Sequence, residues 1–181
     1  RLWGRHQVVN ALFAIAAGHA LGLTVGQIRA GLAQCAGLKM RLQLWRALEV
    51  QVLDDSYNAN ADSMRAALET LREFPCRGRR IAVLGDMAEL GQHAPTAHRE
   101  VGERAAQTGV SHLFAVGQMA GIMGQAARGA GLQAVHEFPT VDAAAGALRD
   151  FVQAGDVVLL KASRSTRLER VGDVLRTMKP S

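Results

Sequence analysis

Apolar residues at helical spacing open the chain. Between about Gln7 and Ala20, the positions Val8, Leu12, Ile15, Ala16 and His19 fall on one side of a helix. A second helix is predicted behind Thr24, whose hydroxyl can accept from a free backbone N–H. Gln27 stands at the reciprocal capping-box position, and Val25, Ile28 and Leu32 form the apolar stripe. Ala36-Gly37-Leu38-Lys39 reads as a linker. Two helices of this size bury too little surface to fold alone, so residues 1–38 are expected to be the tail of a larger domain.

The pattern changes at Arg41. Leu42 to Arg46 and Leu48 to Asp54 suit a short hairpin, and strands and helices then alternate five times. The predicted strands are about 48–54, 80–85, 112–116, 133–137 and 157–161; the helices are about 61–73, 96–108, 119–128, 141–153 and 166–178. Helical spacing is plainest at Met64, Ala67, Leu68 and Leu71, and again at Leu168, Val171, Leu175 and Met178. Ile81 to Leu84 and Val157 to Leu160 are continuous apolar runs, as strands covered on both faces require. Repeated βα units predict an α/β fold for residues 39–181: a mostly parallel, Rossmann-like sheet with helices on both faces. In such sheets ligands gather at the carboxyl ends of the strands. That rule nominates the loops Asp54 to Asn60, Gly85 to Gly91 and Ala162 to Ser165.

Composition narrows the class. A chain of 181 residues with 49% hydrophobic and 20% charged residues is that of a soluble globular protein. No apolar run approaches the ~18 residues of a membrane span, and there is no secretory pattern at the start. Cys35 and Cys76 stand far apart and read as buried free thiols of a reducing, cytoplasmic compartment. Net charge +5 suits an anionic partner. The basic clusters, Arg77 to Arg80 and Lys161 to Arg170, carry no interleaved aromatics, which counts against nucleic acid; phosphorylated small molecules would answer the charge, and so would arginines that are simply solvated.

The first loop packs polar side chains at every position but Ala59. Carboxylates accept from ribose hydroxyls, and amides both donate and accept, so this density suits a ligand cradle. A plain turn ending in a helix N-cap would use only one of these residues. In the second loop, Gly85 and Gly91 permit sharp turns and close approach, but the second glycine of the dinucleotide fingerprint is absent, which argues against hydride transfer. Ligand contact and a simple turn both remain open there. The third loop offers hydroxyls and amides at a helix start flanked by cations, a setting for carboxylate or phosphate, although Ser165 equally suits an N-cap. His93 and His98, five apart, point roughly 140° away from each other on a helix, so no metal ligand is expected there. Asp54 and Asp55 are strand neighbours, so at most one faces a common site.

These loops resemble known signatures. Asp54-Asp55-Ser56-Tyr57-Asn58-Ala59-Asn60, followed by Asp62-Ser63-Met64, resembles a signature of the Mur ligase family. Gly85 to Gly91 with His98, and Lys161-Ala162-Ser163-Arg164-Ser165, resemble the next two; Gly4-Arg5-His6 with Asn10-Ala11 resembles the motif closing the family's central ATPase domain. The resemblance runs from about residue 4 to 175, and its Ser-Tyr-Asn-Ala-Asn run is similar to the member adding D-alanyl-D-alanine. The Asp-Asn-Pro-Arg-type loop of the diaminopimelate-adding sister is not present.

The resemblance implies a three-domain ATP-dependent amide ligase. It would join D-alanyl-D-alanine to a UDP-N-acetylmuramoyl-tripeptide through an acyl phosphate, in peptidoglycan precursor synthesis. ATP and magnesium would be its cofactors. A cytoplasmic monomer is implied, without nucleic acid partner or membrane span. Residues 1–38 would be the C-terminal tail of the central ATP-binding domain, and residues 39–181 the C-terminal Rossmann-like domain. Carried over by motif, His6, Asn10, Arg41, Asp55, Tyr57 and Asn58 would bind ATP, with Asn10 near adenine, Arg41 on the phosphates and ribose, and Asp55 on the ribose. Asn60, Asp86, Glu89, Ser163 and Arg164 would receive the amino substrate; no catalytic or metal-binding residue is carried over. The pattern departs at Gln7 for asparagine, and at Met40 and Ala162 for glycines. The chain opens at Arg1 without methionine and holds neither a Gly-Lys-Thr phosphate loop nor the magnesium ligands, so it is expected to be a C-terminal portion inactive alone. The rival is a Rossmann-like nucleotide-binding module without ligase activity, which leaves Gly4 to Ala11 as coincidence.

Overall fold

The computed structural model describes residues 3–35 and 37–179, with every side chain there except those of Arg5 and His6. Two helices lead: α1 (Arg5–Ala20) and α2 (Val25–Ala33). The capping box forms as the sequence predicts, the Gln27 N–H donating to Thr24 Oγ1 at 3.3 Å and the Thr24 N–H to Gln27 Oε1 at 2.9 Å. Gly18 of α1 lies against Ile28 of α2, and the Trp3 ring meets Phe74 edge-on at 4.7 Å. The predicted stripe on α1 is largely uncovered among the described residues: Val8, Leu12 and Ile15 are all exposed.

Six strands follow: β1 (Gln43–Ala47), β2 (Val50–Asp54), β3 (Arg80–Gly85), β4 (His112–Val116), β5 (Val135–Phe138) and β6 (Val157–Lys161). Five helices complete the fold: α3 (Ala61–Glu73), α4 (Ala94–Gln107), α5 (Ala120–Gly129), α6 (Val141–Phe151) and α7 (Glu169–Arg176). The sheet order is β1-β2-β6-β3-β4-β5. Only β1 is antiparallel, as the outer arm of the predicted hairpin; the others run parallel. Period-two alternation divides the core. Leu53, Leu84, Leu113 and Leu159 pack against α3, α4 and α5. Val52, Ile81, Phe114 and Leu160 pack against α6 and α7.

Several predicted boundaries move by one to three residues, two of them for a visible backbone reason. The sixth helix ends at Phe151, because Val152 is already extended. The last segment does not run unbroken from 166: a short turn at Arg164–Thr166 stops at Arg167, which adopts φ 55°, and α7 begins only at Glu169. A left-handed residue breaks the helical hydrogen-bond ladder. The third loop therefore faces a single tight turn, and it lacks the long helix whose dipole would attract an anion. Ser165 lies inside that turn and is not its N-cap.

Helices α4 and α5 cross closely because Gly102 has no side chain; a Cβ there would lie 2.2 Å from the Met123 carbonyl oxygen. Gly102→Ala is expected to cost about 1–3 kcal/mol by forcing backbone apart. Urea unfolding of the variant against the parent checks this; an unchanged midpoint would mean the helices shift freely.

Candidate functional site

Chain order hides the feature that assembles the site. Strand β6, last in sequence, inserts between β2 and β3. The three nominated loops therefore leave three neighbouring strands at their carboxyl ends. Facing the β2 and β6 ends, a cleft of about 690 Å³ is lined by Gln7 and Asn10 of α1, by Cys35, and by Leu38, Arg41 and Leu42. Asp55, Tyr57, Asn58, Asn60, Asp62, Ser63 and Lys161 line its other wall. That size suits a small molecule.

The linker and the β2 loop are knitted together. The Tyr57 N–H donates to the Met40 carbonyl at 3.1 Å, and the Leu42 N–H donates to Asp55 Oδ1 at 3.1 Å. These bonds hold Met40 and Leu42 at φ 57° and 49°, a conformation that disfavours side chains and costs of order 1 kcal/mol each. Met40, the departure from glycine, thus keeps a glycine-like backbone. The Arg41 guanidinium sits 4.4 Å over the Tyr57 ring, and no carboxylate is paired with it among the described residues.

The adjacent aspartates diverge as strand geometry requires. Asp54 is buried, its Oδ1 accepting from the Ser56 hydroxyl at 2.6 Å and its Oδ2 from the Trp45 indole at 3.4 Å. Asp55 faces the cleft, with Lys161 Nζ at 2.5 Å. Asn58 accepts from the Ala59 N–H at 2.9 Å through its side-chain oxygen. Asn60 caps α3, accepting from the Ser63 N–H at 2.8 Å while Ser63 Oγ accepts from the Asn60 N–H at 3.0 Å. Asn60 also lines the cleft. Asn10 donates to Gln7 Oε1 at 3.2 Å, so the departure at Gln7 still presents an amide to the cleft. The His6 side chain lies outside the described residues.

Side chains turned inward shape the other two loops. Asp86 points away from the cleft and accepts from the backbone N–H groups of Gln118 and Met119 at 2.9 and 3.0 Å, at the start of α5. Buried His98 accepts from the Met87 N–H at 2.8 Å through Nε2, so its Nδ1–H donates to the Ala94 carbonyl at 2.7 Å. Ser163, 2% exposed, accepts from the Ala88 N–H at 2.8 Å and donates to the Ala59 carbonyl at 3.2 Å. Ala162 fits in place of the family's glycine because Gly85, opposite, has no Cβ: one there would come within 2.7 Å of the Ala162 methyl. Glu89, at φ 63°, and Arg164, paired with Glu169 at 3.0 Å, are exposed. The cleft therefore unites Asn10, Arg41, Asp55, Tyr57, Asn58 and Asn60, whereas Asp86, Glu89, Ser163 and Arg164 do not line it. Sequence reasoning passed over Lys161. A charge ending the wholly apolar strand Val157–Lys161 was its signal, since a buried cation must be paired.

A mostly parallel α/β sheet with a polar cleft at its strand carboxyl ends is an architecture suited to a small-molecule ligand. A family model described as "Mur ligase, glutamate ligase domain" matches residues 40–164, and the chain belongs to the Mur ligase family. It is 40% identical over 193 residues to the UDP-N-acetylmuramoyl-tripeptide–D-alanyl-D-alanine ligase of Mycobacterium leprae, covering 96% of this chain and 37% of that protein. Among solved structures it is similar to a MurF of Acinetobacter baumannii (TM-score 0.86, 34% identity, 96% of this chain and 38% of that one). It is also similar to the MurF ligase of Thermotoga maritima in complex with ADP (TM-score 0.78, 29% identity, 96% of this chain and 38% of that one). The chain thus spans under two fifths of the length of these relatives.

Proposed function

We propose that this chain is the C-terminal part of an ATP-dependent ligase that joins D-alanyl-D-alanine to UDP-N-acetylmuramoyl-tripeptide in cytoplasmic peptidoglycan precursor synthesis. The observation carrying this reading is the cleft, which gathers Asn10 from before the linker and Arg41, Asp55, Tyr57 and Asn58 from after it. Residues 1–38 then belong to the central ATP-binding domain and 39–181 to the C-terminal one. Arg41, with no carboxylate against it among the described residues, answers the nucleotide's phosphates. Asp55 accepts from ribose hydroxyls, and the Asn10 amide reaches adenine.

In the reaction, the tripeptide carboxylate takes the γ-phosphoryl group and ADP leaves. The dipeptide amine then attacks the acyl carbon, loses a proton and expels phosphate. This domain contributes positioning and charge placement. Asn60, Glu89 and Arg164 border the path of the amine, while Asp86 and Ser163 hold their loops in shape from beneath. The cleft carboxylates do not fit a magnesium site: Asp55 pairs with Lys161 and Asp62 with Arg65. Ligands for that ion come from elsewhere in the protein.

The test is ADP release by the full-length protein. It is expected only with UDP-N-acetylmuramoyl-tripeptide and D-alanyl-D-alanine together; release with another amino acid in place of the dipeptide, or none, would refute the assignment. A second expectation concerns motion. Contacts on both sides of the linker let ATP favour a closed arrangement, with the linker ahead of Met40 as the hinge. Small-angle scattering should show the full-length protein compacting with an ATP analogue and the UDP-tripeptide; an unchanged radius of gyration would rule closure out.

A further inference from the structure

Lys161 closes β6, the strand enclosed by β2 and β3, and is only 2% exposed. A buried ammonium is tolerated only where its N–H groups find partners. Its Nζ lies 2.5 Å from Asp55 Oδ2 and donates to the Asn58 carbonyl at 3.1 Å, so the strand end grips the β2 loop at two points. Asp55 is held from the other side too, since Oδ1 accepts from the Leu42 N–H at 3.1 Å. The two contacts fix the rotation of the carboxylate.

We propose that Lys161 is a positioning residue for nucleotide binding. It acts through Asp55 and the Asn58 carbonyl, holding the carboxylate aimed at the ribose and the loop against the cleft. The inference rests on the ATP reading of that cleft. A residue that merely stapled the loop to the sheet would change stability without discriminating between substrates, and this separates the two roles.

The experiment measures kcat, KM for each substrate and melting temperature in the full-length protein for Lys161→Met, Asp55→Asn and the double variant. Each single change is expected to raise KM for ATP about tenfold or more, the effect of losing a charge-assisted hydrogen bond. KM for D-alanyl-D-alanine should stay within about twofold, and the double variant should be no worse than the worse single one, because both remove one coupled element. Lys161→Gln, which keeps a neutral donor, should recover part of the loss and replaces Lys161→Met if that variant does not fold. Unchanged KM for ATP, an equal rise for both substrates, or multiplying penalties in the double variant would overturn the positioning role while leaving the ATP reading intact. Absence of saturable ATP dependence in the parent protein would overturn both.

Discussion

Asp156→Ala is expected to destabilise the fold by about 3–5 kcal/mol, the usual cost of breaking a buried ion pair from one side. Asp156 is 1% exposed, just before β6. Its Oδ2 accepts from Arg79 Nη2 at 2.7 Å and from the Gln153 N–H at 2.9 Å, and its Oδ1 from the Arg79 N–H at 2.9 Å. Arg79 in turn donates to the Phe151 carbonyl at 2.8 Å and stacks 4.3 Å over the Phe151 ring. One carboxylate thus ties the starts of β3 and β6 to the end of α6. Alanine leaves the guanidinium and two backbone donors without their acceptor. For a chain of this length the melting temperature should fall by on the order of 10 °C, and a drop of under about 2 °C would mean water replaces the carboxylate at little cost.

The same group sets part of the acid limb. Burial pushes the Asp156 carboxyl up, but the Arg79 side chain, the N–H groups of Arg79 and Gln153, and the Arg79 charge outweigh it and hold the carboxyl below 3.8. Its stabilisation is present above 3.8 and lost as pH falls through the lower folded-state value. Burial also holds His112 and His136 below 6.5, assisted by Arg79 at His112 and Arg128 at His136. Their contribution is present above 6.5 and lost as pH falls towards their folded-state values. Urea midpoints should therefore decline in two stages on acidification, and the second should be smaller in Asp156→Ala.

Asp55→Ala in the full-length protein is expected to raise KM for ATP roughly ten- to a hundredfold, corresponding to about 1.5–3 kcal/mol for a charge-assisted hydrogen bond. KM for D-alanyl-D-alanine should change far less, because Asp55 lines the cleft whereas Glu89 and Arg164 do not. Removing it also frees Lys161 and the Leu42 N–H, so circular dichroism must show the variant folded. A folded variant with unchanged ATP dependence would remove Asp55 from the nucleotide site.

Much of this molecule is written locally. The apolar run Val157 to Leu160 read as a strand covered on both faces, and the spacing of Met64, Ala67, Leu68 and Leu71 as the buried side of a helix, and both form. Thr24 with Gln27 marked a helix start because the capping bonds span three residues. The polar crowding from Asp54 to Asn60 marked the cleft wall for the same reason, since a ligand loop needs its donors and acceptors close together. Arg167 was misread because helical spacing continues across it while its backbone turns left-handed.

The remainder depends on contacts between residues far apart in the chain. Nothing in the order of the strands says that β6 pairs with both β2 and β3, yet that pairing alone brings three loops to one edge. Whether a polar side chain faces the cleft or ties the fold together was decided the same way. Asp86 turned to the start of α5, Ser163 to the backbone of two other loops, and Lys161 to Asp55 across 106 residues. Sequence alone determined the elements, their sidedness and the polar loop that lines the cleft, because hydrophobic period and capping act over a few residues. Tertiary structure decided strand order and the partner of each buried polar group, because those are settled by which distant backbone and charge can satisfy it once water is excluded.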